Sequence, residues 1–371
     1  MKSKKGLVII FLVVVLSVLG LLMFQLPKTL PAKQPQTLKD LAYDSDKRLG
    51  YTIYIPENGK LEPYLVLTKN YYKQGNVLLM RKYLVEAAIP HNETQTTSYY
   101  AESIPDRFMN ELFIHEFPSK LSSQIKMTTL NIKAKNGIQV GDEIEKIKRK
   151  LFLLLEKEVG IEIFATSDEK KIGYFIDKKF ERAIASTKDG TLGLWWLRGS
   201  GAHHFVDLAT LVTDYGGVGS SEVRTPNYLR PSFCLPPNTK IAKETIKGQE
   251  IYVLKAFQDL KLPKANILVE DIGLTGHDLE KYYIKHNYLG IEVELKNPQY
   301  GGVLSDNLTV AKGESVQLRA LTFSDGRFDG WYLGDKLISC EKLLTYQLTQ
   351  NETILAKFSK KETFPIEDRK S

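Results

Sequence analysis

Two adjacent histidines, His203 and His204, come closest in this chain to a metal-binding pair. They fall in a stretch predicted to be extended, and neighbouring side chains on a strand point to opposite faces. The two imidazoles are therefore poorly placed to bind one ion, and third and fourth ligands at usable spacing are missing. The pattern favours one histidine at the surface and one partly packed, so it predicts no metal site.

The run WWLR, residues 195–198, offers a different chemistry, because aromatic residues and arginine are enriched in recognition surfaces. On a strand, Trp196 and Arg198 share one face and Trp195 points to the other. Trp196 and Arg198 could therefore form the floor of a binding site. The alternative is that one tryptophan is core and that Arg198 braces a loop through an ion pair.

A turn-rich stretch, residues 214–227, either presents a ligand loop on a rigid sheet or simply turns the chain. A calcium site would need clustered carboxylates and carbonyls, and Asp207, Asp214 and Glu222 form no calcium-lectin motif. Together, these features give six candidate ligand-binding residues: Trp196, Arg198, His204, Asp214, Tyr215 and Arg224.

Catalytic signatures are missing from the sequence: there is no nucleophile elbow, Walker loop, HExxH motif or paired-cysteine site. Cys234 and Cys340 lie in different predicted domains, so we expect two buried, reduced thiols, with a disulfide as the alternative. The chain is predicted not to be an enzyme and to carry no cofactor.

Charge and composition narrow the range of partners. The formal net charge is +7, but Lys2, Lys4 and Lys5 supply three of these charges and precede an apolar segment. The remaining +4 is spread too evenly to indicate nucleic-acid binding. Hydrophobic residues at 43% and charged residues at 26% indicate globular domains.

Residues 6–24 are uncharged and predict a transmembrane signal-anchor within residues 1–25. The preceding lysines place the N-terminus in the cytoplasm, so the lipid bilayer is an expected partner and the C-terminal bulk is expected outside the cell. A cleaved signal peptide is the alternative. Residues 26–48 contain Pro27, Pro31 and Pro35 and are predicted to be a linker.

The next segment, residues 49–240, mixes strand and helix patterns. Strands are predicted at 51–55, 64–68, 77–85, 194–198 and 229–235. One helix begins at Ser103 with Pro105 in its first turn, and two more are predicted near 141–149 and 171–186. The predicted class is α+β, with helices beside a mostly antiparallel sheet, followed by a small all-β domain.

Four sequence blocks in this segment resemble the uncharacterised DUF6273 family. They are SYYAESIPDRFMNELF (98–113), IKRKLFLLLEKEVG (147–160), WWLRGS (195–200) and LRPSFCLP (229–236). Gly199 stands where the family usually has serine, and Leu229 where it has valine. The resemblance implies a scaffold like that of C-type lectins or sulfatase-modifying factors, and fold alone does not give a reaction.

Residues 291–359 alternate between apolar and polar residues, with turns between the segments, and predict a small all-β domain. Their runs GESVQL (313–318) and RFDGWY (327–332) resemble the divergent InlB B-repeat family, found on exported bacterial proteins as stalks or adhesive modules. Trp331 is predicted to be the principal buried aromatic of this domain. Residues 241–290 are a connecting module and 360–371 a loose tail.

Taken together, the sequence predicts a membrane-anchored bacterial cell-surface protein. Its outer part is expected to be a non-enzymatic binding or adhesion module for a glycan, a wall polymer or a protein. An exported enzyme on a lectin-like scaffold is the alternative.

Overall fold

The computed structural model describes most of the chain. The described residues are 34–43, 52–85, 87–94, 97–135, 138, 143–160, 170–176, 182–201, 206–246, 249–260, 288–305 and 309–361. Of these residues, 48% lie in strands and 14% in helices. The predicted α+β class, with its lectin-like domain, is therefore wrong, because the fold is mostly β. The segment predicted as a helix near 141–149 instead contains the strand Ile144–Arg149, and residues 171–186 contribute the short helix Gly173–Ile176.

The prediction of a membrane-spanning helix finds no support in the structure. Within the described part of the chain, no helix is long and apolar enough to cross a bilayer. The predicted span, residues 6–24, lies outside the described residues. The prediction of a single-pass membrane protein with its C-terminal bulk outside the cell is therefore not supported by the structure.

The first part of the fold contains twelve described strands and four short helices. The strands are β1 (Thr52–Glu57), β2 (Lys60–Tyr71), β3 (Asn76–Arg81), β4 (Thr128–Lys133), β5 (Ile144–Arg149), β6 (Leu151–Phe152), β7 (Trp195–Ser200), β8 (Leu208–Val212), β9 (Val218–Glu222), β10 (Ser232–Leu235), β11 (Ile241–Ile246) and β12 (Gln249–Leu254). The α-helices are α1 (Leu38–Leu41), α2 (Ile104–Arg107), α3 (Ser119–Ser122) and α4 (Gly173–Ile176). A π-helical turn (Phe108–Leu112) and 3₁₀ turns (Tyr100–Glu102, Phe113–Glu116, Lys255–Phe257) complete it.

A seven-stranded sheet, ordered β11-β12-β1-β2-β3-β10-β6, forms the centre of this part. Only the β1–β12 pair is parallel. Both faces of the sheet are covered: Leu79 and Phe233 belong to one hydrophobic core, and Leu78 and Cys234 to another. Strands buried on both faces are apolar almost throughout, which explains the runs NVLLMR and SFCL.

The helical segment that begins at α2 follows its predicted start signal. The Ser103 side chain accepts a hydrogen bond from the Asp106 backbone N–H at 3.2 Å, and Pro105 lies in the first turn. Phe108 and Met109, in the π-helical turn, are buried in the first core. The sequence therefore correctly predicted both the beginning of this helix and its buried face.

Eight described strands form the C-terminal β unit. They are β13 (Tyr288–Lys296), β14 (Gly301–Ser305), β15 (Thr309–Ala311), β16 (Ser315–Thr322), β17 (Gly326–Leu333), β18 (Lys336–Ser339), β19 (Leu343–Gln347) and β20 (Glu352–Lys360), with a 3₁₀ turn at Pro298–Tyr300. They form a five-stranded sheet, β15-β13-β20-β17-β18, and a three-stranded sheet, β14-β16-β19. Trp331 is fully buried in the core of this unit, as predicted.

The C-terminal β unit packs against the helical segment of the first part. Phe323 is buried in the first core, and the Arg107 guanidinium lies 4.4 Å from the centre of its ring. Arg107 also forms an ion pair with Asp325 at 2.9 Å, and Arg319 forms one with Glu116. The described residues from Gln36 onward thus form one compact unit.

Both cysteines are free thiols, which agrees with the reduced state expected from the sequence. Cys234 lies in the second core, where burial raises the pKa of its thiol to about 12. Cys340 is exposed, so the prediction that it is buried is wrong. It follows β18 at the edge of the five-stranded sheet, where the core does not cover it.

Candidate functional site

Two residues from the DUF6273-like blocks, Arg198 and Glu158, form a buried ion pair. Their side chains are 0% and 1% exposed, and Arg198 Nη1 lies 2.7 Å from Glu158 Oε2. Arg198 also donates to the Leu153 carbonyl and to the Tyr72 hydroxyl. The Tyr71 hydroxyl donates to the second oxygen of Glu158. Strand β7 is thereby tied to the β2–β3 hairpin and to the segment after β6.

The electrostatics of this site keep the Arg198 guanidinium charged. Burial on its own would lower the pKa of Arg198, but the Glu158 carboxylate and the phenols of Tyr72 and Tyr71 hold it well above its usual value. Burial and the Glu158 carboxylate likewise raise the pKa of Tyr71 well above its usual value. Arg198 therefore stays charged and Tyr71 stays protonated, as the ion pair and its hydrogen bond require.

Trp196 is also buried. Its indole N–H donates to the Ile89 carbonyl at 2.9 Å, and its ring meets the His91 ring edge to face at 5.6 Å. Neither Trp196 nor Arg198 reaches the surface in this structure. The contacts support the alternative interpretation, in which Arg198 makes an ion pair. Both tryptophans are core residues, since Trp195 is as buried as Trp196.

The remaining candidate residues do not form one cluster. Asp214 and Tyr215 lie in the turn between β8 and β9, where Tyr215 is 68% exposed. Arg224 follows the other end of β9, a five-residue strand, so it lies roughly 15 Å away along the hairpin. His204 lies outside the described residues. The structure thus places the predicted site residues in three separate locations: Trp196 and Arg198 are buried, Asp214 and Tyr215 lie in an exposed turn, and Arg224 lies at the far end of β9.

Arg224 lines a groove of about 1040 Å³ between the first part of the fold and the C-terminal β unit. We call this cavity the acidic groove. One wall comes from loops of the first part, and the other comes from most of β13 and the start of β20. Its charged lining residues are Glu93, Asp189, Arg224, Glu292, Glu294 and Glu352, joined by Pro90, Thr187, Thr191, Pro226, Tyr228, Ile291, Val293, Leu295, Asn351 and Thr353.

Strand β13 supplies much of one wall of the acidic groove. Six successive residues, 290–295, line the cavity, as do residues 351–353 at the start of β20. Strand β20 pairs with residues 291–296 on one edge. Among the described residues, β15 covers only residues 288–290, so the edge of 291–296 that faces away from β20 has no strand partner there.

The groove carries a strong negative charge. Five carboxylates line it against the single guanidinium of Arg224, a net charge of −4 for these described lining residues. Glu292 accepts a hydrogen bond from the Thr353 hydroxyl, and Asp189 accepts one from the Thr191 backbone N–H. Burial raises the pKa of Glu93, opposed by a hydrogen bond from Gln299. Such a surface attracts cationic groups.

Sequence reasoning predicted the strand at 291–296 but not the site that it forms. The alternation of Ile291, Val293 and Leu295 with charged residues identifies a half-buried strand. Whether such a strand lies at an edge depends on how far its neighbour extends, and β15 has three residues. That information lies in tertiary pairing, so no local signal could have revealed it.

Comparisons with known proteins agree with the sequence motifs in one respect. Neither the curated proteins nor the solved structures contain a match to this chain. The C-type-lectin-like fold and the InlB B-repeat are not confirmed. Residues 74–237 match the model of the family described as "Domain of unknown function (DUF6273)", in agreement with the resemblance of the four sequence blocks.

Proposed function

We propose that this protein is a non-enzymatic binding module that holds an extended segment of a protein partner in the acidic groove. The observation that carries the proposal is that residues 290–295 of β13 line the groove, while the edge of 291–296 away from β20 has no strand partner among the described residues. A strand edge offers backbone N–H and C=O groups at the spacing of another polypeptide, which favours a peptide over a glycan.

The side chains of β13 define what the partner should look like. Ile291, Val293 and Leu295 lie on the inner face of the strand, whereas Glu292 and Glu294 are exposed on the other. A strand added beside β13 places its alternate side chains next to the two glutamates, and opposite charges across strands stabilise pairing. The expected partner is a strand with basic residues at every second position and apolar residues between them.

The resemblance of residues 291–359 to InlB B-repeats supports the same proposal, because those repeats serve as stalks or adhesive modules on exported proteins. In this chain, the unit that resembles them supplies one wall of the groove, and the part that matches the DUF6273 model supplies the other. Binding between the two walls would use both parts of the chain at once.

The proposal predicts that a capped six-residue peptide of alternating lysine and valine binds saturably, measured by isothermal titration calorimetry at low salt. A peptide with glutamate in place of lysine should bind at least about tenfold more weakly, because like charges then face each other. Two further peptides carry N-methyl groups on alternate backbone nitrogens, one on the odd-numbered residues and the other on the even-numbered residues. Only one of these two sets of N–H groups faces β13, so one methylated peptide should lose binding and the other should keep it.

Charge reversal tests the same site from the protein side. Glu292→Lys combined with Glu294→Lys should lower affinity for the lysine peptide at least about tenfold and favour the glutamate peptide. The matched control is Asp335→Lys with Glu341→Lys, two exposed carboxylates at the opposite edge of the same sheet, beside β18. Equal losses in both variants, or equal binding of both N-methylated peptides, would contradict strand addition at β13.

A further inference from the structure

A second cavity, of about 330 Å³, lies beside the turn of the β2–β3 hairpin. Its walls include Tyr71, Tyr72, Lys73, Glu158, Lys170 and Lys171. We call it the lysine pocket. A volume of this size is at the lower end of the range for small-molecule sites, enough for a ligand about the size of one sugar ring.

The charge of the lysine pocket is opposite to that of the acidic groove. Lys73, Lys170 and Lys171 are exposed and line it. The one carboxylate among its described lining residues, Glu158, is buried and paired with Arg198. That pair is neutral overall, so the described lining residues present a net positive charge to an entering ligand. The pocket therefore favours an anion.

The aromatic wall of the pocket is held in a fixed position. Tyr71 and Tyr72 pack edge to face with ring centres 4.5 Å apart. Arg198 Nη2 donates to the Tyr72 hydroxyl at 2.7 Å, and the Tyr71 hydroxyl donates to Glu158 at 2.6 Å. Tyr72 keeps part of its surface exposed. A pre-oriented aromatic ring beside cationic side chains suits a ligand that carries both a ring and a negative group.

The backbone at the mouth of the pocket adopts a conformation that its residues disfavour. Tyr72 and Lys73 have φ angles of 50° and 56°, in the left-handed region that glycine and asparagine tolerate best. The folded protein is therefore less stable with tyrosine and lysine at these positions than it would be with glycine or asparagine. Such strain is typical of positions whose side chains serve a purpose other than folding.

We propose that the lysine pocket binds a small ring-bearing ligand with one anionic group, such as a phosphorylated or carboxylated sugar. The anionic group lies between Lys73 and Lys170, and the ring lies against Tyr72. This site is separate from the acidic groove, and its ligand has the opposite charge. The two sites therefore stand or fall independently.

Ligand-observed NMR with the full chain tests the proposal with three probes: glucose 6-phosphate, glucuronate and glucose. Binding of glucose 6-phosphate alone identifies a phosphate ester as the anionic group, and binding of glucuronate alone identifies a carboxylate. Binding of both supports a general preference for anionic sugars. Binding of neither, or equal binding of neutral glucose, overturns the proposal.

Two variants separate a ligand-binding role from a structural one. Lys73→Asn should raise the melting temperature, because asparagine tolerates the left-handed backbone, yet weaken binding of the preferred probe about tenfold. Lys69→Gln removes a neighbouring exposed charge that does not line the pocket and should leave affinity within about twofold. If Lys73→Asn stabilises the protein and leaves affinity unchanged, the residue serves only the turn and the proposal fails.

Discussion

Replacing Arg198 by methionine is expected to lower the free energy of unfolding by about 3–5 kcal/mol. The substitution leaves the Glu158 carboxylate 1% exposed and without its guanidinium partner. It also removes the donors to the Leu153 carbonyl and the Tyr72 hydroxyl. Urea denaturation at pH 7 measures the change, and the midpoint should fall with little change in the slope, since the compact fold is retained.

Two controls show whether burial is the cause. Lys135→Met removes a pair with Glu102 in which both side chains are 55% exposed, and it should cost less than about 1 kcal/mol. Arg198→Met combined with Glu158→Gln should cost less than the sum of the single changes, because no unpaired charge then remains in the core. A cost for Arg198→Met as small as that for Lys135→Met would refute a structural role for the pair.

The fold was partly predictable from the sequence, because local patterns report local structure. The N-cap at Ser103 and the alternating strands of the C-terminal β unit were identified correctly for this reason. Strand β5 lies in the segment near 141–149 that was predicted to be a helix. In the structure, every residue of β5 pairs with β4, and the backbone hydrogen bonds come from a partner that no local pattern reveals.

The candidate site was harder to predict than the fold. Arg198 and Trp196 were predicted to be recognition residues. The buried ion-pair partner of Arg198 is Glu158, which lies 40 positions away in the sequence. Residues typical of binding surfaces are also typical of buried networks, and burial decides between the two. The carboxylates of the acidic groove come from four separate stretches of the chain, so they looked like ordinary solvated residues in the sequence.

His91 is expected to make the protein lose stability as the pH falls below about 6.5. Its side chain is fully buried, and neither ring nitrogen has a hydrogen-bond partner among the described residues. Burial lowers the pKa of His91 to about 3. Between pH 6.5 and 3 the unfolded chain therefore binds a proton at this residue that the folded protein does not. Stability should fall by about 1.4 kcal/mol for each pH unit in this window, and His91 should contribute no pH dependence above it.

The comparison with His91→Phe isolates this effect, because other buried groups titrate in the same window. Burial raises the pKa of Asp106 to about 6 despite its pairing with Arg149, so that carboxyl adds stability as the pH falls toward its unfolded value near 3.8. Asp106 is present in both proteins, and its contribution cancels in their difference. The free energy of unfolding of His91→Phe minus that of the wild type should thus rise by about 2 kcal/mol as the pH is lowered from 6.5 to 5. Urea denaturation at each pH measures this difference. A difference that does not change with pH would show that His91 is protonated in the folded protein as readily as in the unfolded chain, and that its ring has a partner in solution.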